Sequence, residues 1–213
     1  EFRNTDSFLV TAHSNPDGDA VGSMLALYHF LKALGGKDIT CVLDDPVPKI
    51  YATLPGANTI LGCDDEKPEY DLAVILDVSS LERIGDAAQW IGEDKKIVVL
   101  DHHQEDNPIG AIGFIDPTYA AVGEIVAELF HVANIPLSPE AAHCAYVAQI
   151  TDTGGYRYSN TNARSHQIAA RLVETGLDTA AICSDIFERI SRPKFELLHR
   201  VLHRREFISN DRV

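Results

Sequence analysis

The sequence lacks paired cysteines and long apolar runs. Its four cysteines are scattered over 213 residues without CxxC spacing, which indicates neither a zinc knuckle nor a disulfide framework. Reduced, mostly buried thiols are the simpler interpretation, and they are typical of cytoplasmic proteins. No signal peptide is visible, and no apolar run is long enough to span a bilayer. We therefore expect a cytoplasmic protein without a membrane partner.

Positive charge is also scarce. The chain has 18 Lys and Arg residues against 32 Asp and Glu residues, a formal net charge of -14 at pH 7. Binding of duplex nucleic acid usually depends on Lys and Arg side chains that neutralise phosphates, so this composition argues against such a partner. It does not exclude a small anionic substrate held by metal ions. Because 45% of the residues are hydrophobic, the chain can build one good core.

Five short apolar runs predict β-strands, over residues 8–12, 37–43, 72–76, 96–100 and 112–116. Nearly continuous runs of this kind suit parallel strands that are buried on both faces. Helical spacing predicts helices at about 20–34, 81–91, 120–133, from 139 onward, and at 161–175, 178–190 and 193–207. We expect an α/β fold, a mostly parallel sheet flanked by helices, with a helical C-terminal part. One domain over residues 1–213 would contain an α/β core at about 7–116 and a helical lobe at about 117–213.

The loop after the first predicted strand carries three side chains that can bind metal. His13, Asp17 and Asp19 lie within seven residues, between the strand and a helical segment. In open α/β sheets, ligands bind outside the carboxyl ends of the strands. A turn at Asp17 and a helix N-cap at Asp19 are the alternative, and this loop alone does not decide between the two. The same helix contains Gly22, which we expect to let it pack closely on the sheet.

Two further predicted strands also end in acidic residues or histidine. Asp77 follows the third strand, and Asp101, His102 and His103 follow the fourth. A carboxylate directly after a buried apolar strand is costly unless it is paired or binds a metal. Parallel strands bring these ends to one edge of the sheet, where Asp152, in a glycine-rich loop after a helix, could complete the set. Each carboxylate alone could be a cap or turn acceptor, but their joint occurrence predicts a metal site.

These residues resemble the DHH phosphoesterase superfamily. HSNPDGDAVGS at 13–23, the isolated Asp77, DHH at 101–103 and DTGGYRYSNT at 152–161 match its four motifs in order. Their form is most similar to the subfamily of bacterial oligoribonucleases (nano-RNases) and 3'-phosphoadenosine-5'-phosphate phosphatases. The family usually continues into a second domain with a GGGH-type motif that holds the substrate, and this sequence contains no such motif. The resemblance therefore implies a catalytic DHH domain with the substrate-binding domain absent.

The resemblance implies two divalent metal ions as cofactors, usually manganese. One ion would be held by His13, Asp17 and Asp77. The other would be held by Asp19, Asp77, His102 and Asp152, so that Asp77 bridges the pair. Two divalent ions would balance the four carboxylates of this set. Mixed imidazole and carboxylate ligands suit manganese, while zinc and iron remain alternatives.

Three more residues are catalytic candidates. Charge that develops on phosphoryl oxygens is stabilised by positive groups and hydrogen-bond donors. We expect His103, beside the ligand His102, to act as a phosphate donor or general acid. Arg157 is a second candidate, with a surface salt bridge as the alternative. Asp101 is expected to orient an imidazole.

This reasoning predicts a hydrolase that acts on phosphate esters of small nucleotides by a two-metal mechanism. The expected substrates are short single-stranded oligoribonucleotides, 3'-phosphoadenosine-5'-phosphate, and cyclic or linear dinucleotides. Two alternatives stay open. One is an inorganic pyrophosphatase or exopolyphosphatase, and the other is a nucleotide-binding module with little catalytic activity. The sequence does not fix the oligomeric state, and a homodimer is one alternative.

Overall fold

Six parallel strands form one sheet in the order β3-β2-β1-β4-β5-β6. The computed structural model describes residues 1–78, 80–104 and 112–204. The strands are β1 Ser7–Ala12, β2 Asp38–Leu43, β3 Leu61–Gly62, β4 Leu72–Leu76, β5 Lys96–Asp101 and β6 Ile112–Ile115. The five predicted strands are present within a residue or two of their expected bounds. The two-residue strand β3 was not predicted, because it is too short to give an apolar pattern.

Helix α1, Gly18–Leu34, lies in the N-terminal half of the chain, and the other five described α-helices lie in the C-terminal half. These five are α2 Val122–Ala133, α3 Pro139–Asp152, α4 Ala163–Val173, α5 Thr179–Cys183 and α6 Arg192–His203. Three 3₁₀ helices, Phe2–Asn4, Ala57–Thr59 and Leu81–Trp90, and a π-helical turn, Ser184–Glu188, complete the described elements. The α/β fold with helices at its C-terminal end is therefore confirmed. The predicted end of the last helix, at residues 205–207, lies outside the described residues.

The strand order creates a topological switch point in the middle of the sheet. From β1 the chain proceeds outward through β2 and β3, then returns to the other side of β1 and proceeds through β4, β5 and β6. Neighbouring connections therefore leave β1 and β4 in opposite directions and open a crevice at their carboxyl ends. Ligands of open parallel sheets bind at such crevices.

Helix α1 is the central helix of the fold. Its first turn is capped by Asp17, whose carboxylate accepts hydrogen bonds from the N–H groups of Asp19 and Ala20, both at 3.0 Å. Gly35, with φ 105°, ends the helix in the left-handed conformation that glycine adopts readily. Every residue from Gly18 to Leu27 is buried, because α1 packs against the sheet and also against α2 and α3.

The prediction that Gly22 lets α1 pack closely on the sheet was wrong, because the close neighbour of Gly22 is another helix. A Cβ atom at Gly22 would lie 2.6 Å from the carbonyl oxygen of Cys144 and 2.9 Å from the Cβ of Ala148, both on α3. Gly22 therefore allows α1 to approach α3 rather than the sheet. On α2, a Cβ at Gly123 would lie 2.4 Å from the same Ala148 Cβ. Small residues thus bring three helices together at one point.

The face of the sheet that α1 does not cover packs against the 3₁₀ helix Leu81–Trp90, which is kinked at Gly85, where φ is 61°. Alternate strand residues, among them Leu9, Ala73 and Ile75, pack there against side chains of this helix such as Ile84 and Trp90. Burial of each large aliphatic side chain contributes roughly 1.5–3 kcal/mol. Both faces of the central strands are consequently dry, as their apolar sequences require.

The chain divides into two compact units, Glu1–Thr179 and a second one that begins at Ala180. This boundary differs from the expected one near residue 116, so the division into an α/β core at 7–116 and a helical lobe at 117–213 stays a prediction. Among the described helices, none combines the length and apolar character that a membrane-spanning helix needs.

Candidate metal centre

The carboxyl ends of β1, β4 and β5 and the last residue of α3 bring the six predicted metal ligands together. The Nε2 atom of His102 lies 3.3 Å from Asp152, 3.4 Å from Asp77 and 3.7 Å from Asp19. The Nε2 atom of His13 lies 3.4 Å from Asp77 and 3.8 Å from Asp17. Donor atoms within 4.8 Å of one another form the groups His13, Asp17 and Asp77, which is the first predicted set, and Asp19, His102 and Asp152, which is the second predicted set without Asp77.

The loop between β1 and α1 is held in place by backbone hydrogen bonds. The N–H of Ser14 donates to the carbonyl of Arg83 at 2.7 Å, and that of Asn15, in the left-handed region at φ 53°, donates to Asp45 at 2.7 Å. His13 Nδ1 lies 2.8 Å from the carbonyl of Ser14 and must donate to it, since a carbonyl can only accept. The lone pair of neutral His13 is then on Nε2, the atom that faces Asp17 and Asp77.

Asp77 connects the two sets of ligands. It is only 2% exposed, and its Oδ1 faces His102 while its Oδ2 faces His13. Its backbone has φ 59°, a left-handed conformation that Asp tolerates better than most residues, yet its N–H still donates to the carbonyl of Leu100 at 3.0 Å. Such strain is typical of functional sites, where the surrounding structure holds a side chain in a required direction.

The segment after β5 orients its two imidazoles through different partners. His102 Nδ1 donates to the carbonyl of Tyr119 at 3.2 Å, which leaves Nε2 toward the carboxylates. His103 Nδ1 donates to Asp101 at 2.8 Å. Asp101 is fully buried, and it also accepts from the backbone N–H groups of His102 and His103. A third grouping of donor atoms, Asp77 with His102 and His103, is possible by distance, but the Nδ1 of His103 is already engaged by Asp101.

Asp19 is fully buried at the N-terminus of α2. Its two carboxylate oxygens accept hydrogen bonds from Val122 at 2.6 Å and Gly123 at 2.9 Å. These N–H groups belong to the first turn of α2, where the positive end of the helix dipole favours a carboxylate. Asp19 therefore does cap a helix, as the alternative interpretation predicts, but it caps α2 and not its own helix α1.

Asp152 ends α3 at the start of a left-handed loop. Gly154, Gly155 and Tyr156 all have positive φ, at 57°, 67° and 64°. The amide of Asn160 donates to the backbone carbonyl of Asp152 at 3.0 Å and to that of Ala120 at 3.2 Å. The loop is consequently tied to the segment that precedes α2, close to the residues that bind Asp19.

The excess of carboxylates shifts the pKa of several side chains in the cluster. Hydrogen bonds to Asp17 and Asp77 raise the pKa of His13 to about 10. Burial alone would lower the pKa of His102, but Asp77 and Asp152 raise it to about 9. Burial and the charges of Asp77 and Asp17 raise the pKa of Asp152 to about 7. In the absence of cations, protons therefore compensate the negative charge of the site.

The donor set fits divalent metal ions. In the described part of the chain, three buried side-chain polar atoms find no hydrogen-bond partner, and two of them are Asp77 Oδ1 and His102 Nε2. Both atoms are predicted ligands and lie 3.4 Å apart. A buried polar atom without a partner is costly, whereas a carboxylate oxygen and an imidazole nitrogen are good ligands for a transition metal. A cation at this position would satisfy both atoms.

Arg157 is not brought into this cluster by any contact of the described chain. It is exposed, and its Nε donates to the carbonyl of Gly154 at 2.6 Å, within its own loop. Its predicted role toward a substrate therefore stays a prediction, and so do the roles of His103 and Asp101.

Tyr51 was missed by the sequence reasoning. Burial and the charges of Asp17 and Asp152 raise the pKa of its phenol, so this side chain lies within electrostatic range of both carboxylates. Tyr51 belongs to a turn between β2 and β3, and no motif or spacing in the sequence relates that turn to the ligands. Only the folded chain reveals which loops meet at the sheet edge.

Comparison with known proteins gives a family match. A sequence model described as "DHH family, N-terminal domain" matches residues 7–149, which is more than half of the chain. The chain is 29% identical over 193 residues to the bifunctional oligoribonuclease and PAP phosphatase NrnA of Thermus thermophilus, covering 91% of this chain and 57% of that protein. It is 25% identical to the NrnA of Bacillus subtilis over 86% of this chain and 58% of that one. The chain thus spans little more than half the length of these curated relatives.

Two solved structures have a similar fold. An exopolyphosphatase-related protein from Bacteroides fragilis has a TM-score of 0.89 and 28% identity, covering 95% of this chain and 62% of that one. A putative family II inorganic pyrophosphatase from Methanococcus jannaschii has a TM-score of 0.57 and 21% identity, covering 84% of this chain and 60% of that one. The second likeness concerns the fold alone. The match over residues 7–149 means that this chain belongs to the DHH family.

Proposed function

We propose that this DHH chain is a metal-dependent phosphoesterase that hydrolyses small nucleotides. The proposed substrates are short oligoribonucleotides, 3'-phosphoadenosine-5'-phosphate, and cyclic or linear dinucleotides. One observation carries the proposal: the buried atoms Asp77 Oδ1 and His102 Nε2 have no hydrogen-bond partner among the described residues and face each other inside a cluster of carboxylates. The names of the NrnA relatives support the substrate class.

We propose two ion positions that share Asp77. His13, Asp17 and Asp77 would hold one ion, since His13 Nε2 faces both carboxylates. The ligands of the other would be Asp19, Asp77, His102 and Asp152, whose atoms all lie within 3.7 Å of His102 Nε2. Two divalent ions would balance the four carboxylates. Manganese is the proposed metal, because the set mixes imidazole and carboxylate ligands.

Divalent ions bound in such pairs supply a water of lowered pKa and stabilise the charge on the phosphoryl oxygens. The protein's own contribution is to hold the ligands rigidly. Asp19 is fixed by two N–H groups of α2, His102 by the carbonyl of Tyr119, and Asp77 by its place after β4. Ligands oriented in this way bind metal more tightly than free side chains do.

His103 is the proposed donor to the phosphate. Asp101 holds its Nδ1 at 2.8 Å, so Nε2 is the atom that can reach a substrate oxygen. The His103 side chain is 42% exposed, whereas that of His102 is 11% exposed, and exposure is what a group in contact with substrate requires. Arg157, in the adjacent loop, is proposed as a second cationic partner. Asp101 would act only by orienting His103.

An inorganic pyrophosphatase or exopolyphosphatase is the second candidate. It is favoured by the likeness to the exopolyphosphatase-related protein, at 28% identity and a TM-score of 0.89. The same two-ion arrangement could hydrolyse a phosphoanhydride, because the proposed metal-binding residues would contact the ions and not the nucleoside of a substrate. Substrate choice therefore separates the two candidates.

The test compares turnover of 3'-phosphoadenosine-5'-phosphate, a short oligoribonucleotide and pyrophosphate. The protein is freed of metal with a chelator and assayed with and without manganese. We expect manganese-dependent release of phosphate or mononucleotide from the nucleotide substrates, at a higher kcat/KM than from pyrophosphate. Faster hydrolysis of pyrophosphate would favour the second candidate. Tight nucleotide binding without manganese-dependent turnover of any substrate would contradict both and support a binding module.

A further inference from the structure

Gln149 makes hydrogen bonds with three different parts of the fold. It lies on α3, fully buried, three residues before the ligand Asp152. Its Nε2 donates to Glu124 on α2 at 2.7 Å and to the carbonyl of Ser165 on α4 at 2.7 Å. Its Oε1 accepts from the hydroxyl of Tyr156 at 3.0 Å. An amide is the side chain that offers two donors and an acceptor at one position.

On one side, Gln149 reaches the residues that bind Asp19. Glu124 is fully buried, and its other carboxylate oxygen accepts from the N–H of Ala120 at 3.0 Å. Val122 and Gly123, which donate to Asp19, lie between these two positions. The Glu124 carboxylate therefore fixes the first turn of α2, and with it the two N–H groups that hold Asp19.

On the other side, Gln149 reaches the loop that begins at Asp152. Tyr156, whose hydroxyl donates to Gln149, has φ 64°, and its N–H donates to the hydroxyl of Thr153 at 3.1 Å. The same Thr153 hydroxyl donates back to the backbone carbonyl of Gln149 at 2.6 Å. The hydroxyls of Thr153 and Tyr156 thus attach the left-handed turn after Asp152 to Gln149.

We propose that Gln149 is a positioning residue that sets the distance between the carboxylates of Asp19 and Asp152. These are two ligands of the same ion position, and the inference rests on the proposed function only for that assignment. Asp19 is held by α2 and Asp152 by the end of α3 and its loop. Gln149 bonds to both supports from the buried side, whereas the exposed Asn160 joins only the backbone carbonyls of Ala120 and Asp152.

The chemistry of the position requires an amide. A carboxylate in its place would lie about as close to Glu124 as the present 2.7 Å contact, and two buried like charges repel each other. An apolar side chain of similar length would leave Glu124, Ser165 and Tyr156 each short of one buried partner. Either change should alter the support of the ligands without touching a ligand.

Direct manganese binding to the complete protein tests the proposal. Gln149→Met is titrated by calorimetry and by the loss of free-manganese electron spin resonance signal, without substrate. We expect one ion position to keep its affinity and the position of Asp19 and Asp152 to weaken by about 10–100-fold, the usual cost of losing an outer support of metal ligands. Tyr156→Phe, which removes only one hydroxyl, should weaken the same position by less.

Tyr70→Phe is the matched control. The Tyr70 hydroxyl is also buried and bonded, donating to Trp90 at 2.8 Å and accepting from Gly92 at 3.0 Å, but it precedes β4 at the opposite end of the strand. This control should lower thermal stability and leave both manganese affinities unchanged. If Gln149→Met unfolds the protein, Tyr156→Phe carries the test with the same control.

Exchanging the side chains of Gln149 and Glu124 provides a rescue experiment. Gln149→Glu alone should abolish binding at the affected position, whereas Gln149→Glu with Glu124→Gln restores a pair of one amide and one carboxylate and should recover part of the affinity. Unchanged manganese affinities in Gln149→Met and Tyr156→Phe, at reduced stability, would show a purely structural role and overturn the proposal. Failure of the proposed function looks different, because the unaltered protein would then bind no manganese pair or hydrolyse no nucleotide.

Discussion

Charged side chains are arranged differently at the two ends of the sheet. At the amino ends of the strands, opposite charges pair in water: Lys37 with Asp6 at 2.6 Å and Lys96 with Glu1 at 3.3 Å. At the carboxyl ends, carboxylates cluster with one another, from the half-exposed Asp17 to the fully buried Asp19. Asp19 and Asp77 are buried there, and the only cationic groups within 4 Å of either among the described residues are imidazoles.

The exposed charges at the amino end serve solubility, whereas the clustered carboxylates at the carboxyl end serve function. Exposed pairs contribute little to stability because water and salt screen them. Buried carboxylates that repel one another cost stability unless a cation compensates them. The amino end could therefore be changed with little effect, whereas the carboxyl end keeps an arrangement that lowers the stability of the metal-free protein. Such a cost is expected where a site serves chemistry.

Asp77→Asn should have the largest effect. Asparagine keeps the shape of the side chain and tolerates the left-handed backbone, but it removes the charge shared by both ion positions. We expect manganese-dependent turnover to fall by more than about 10³-fold, equivalent to about 4 kcal/mol of transition-state stabilisation. Asp77→Ala should lose at least as much activity. Initial rates at saturating manganese give the measurement.

Asp77→Asn should also raise the melting temperature of the metal-free protein at high pH, where His13 and His102 are neutral and the charge of Asp77 only repels the neighbouring carboxylates. Melting curves in the presence of a chelator measure this second effect. Near-normal turnover, or a lower melting temperature without metal at that pH, would contradict the bridging role and remove the contrast between the two ends of the sheet.

Manganese should stabilise the protein through the carboxyl end alone. A ligand at 100 times its dissociation constant adds about 2.7 kcal/mol to the free energy of unfolding. For a chain of this size the melting temperature should rise by about 5–10 °C. Differential scanning calorimetry with manganese, with calcium and with a chelator measures the rise. An equal rise in Asp77→Asn would mean that the ion binds elsewhere.

His103→Ala should reduce turnover by at least about 100-fold and leave manganese binding intact, because positioned proton donors contribute about 10²–10⁴-fold. Asp101→Asn should have a similar or smaller effect, since it acts through the orientation of His103. Steady-state kinetics and a manganese titration on the same preparations separate the two properties. Loss of manganese binding in His103→Ala would instead favour the grouping in which His103 is itself a ligand.

Lys37→Ala should have the smallest effect. The pair with Asp6 is exposed, so its removal should change the melting temperature by less than about 1 °C and turnover not at all. The same melting and rate measurements apply. A clear loss of activity would show that charge at the amino end influences the site, and the contrast between the ends would then fail.

Much of the fold was predictable because its local patterns are strong. The run at 72–76 is buried on both faces, as its uninterrupted apolar sequence predicts, and Asp77 lies at the end where parallel strands converge. Asp152, which ends helix α3, is placed there by helix packing, but the approach of Asp17, Asp77 and His102 follows from the same logic. It required only that consecutive strands join one parallel sheet.

The rest depended on tertiary neighbours that local patterns do not specify. Gly22 was recognised as a site of close approach, but sequence spacing gives no means to distinguish α3 from the sheet as its neighbour. Gln149 lies in a helix with apolar residues nearby, and its three partners come from three other segments. Tyr51 approaches the site through a turn without any motif. Long-range pairing of this kind appears only in the folded chain.

The left-handed backbone of Asp77 limits where this arrangement could be rebuilt. A designer who transfers these ligands onto another parallel scaffold must also supply a strand terminus that reverses its φ angle while its N–H stays in the ladder. Few residue types accept that geometry, which restricts useful libraries at the corresponding position to Asp, Asn and Gly. Scaffold selection should therefore begin from backbone torsions and only then consider side-chain placement.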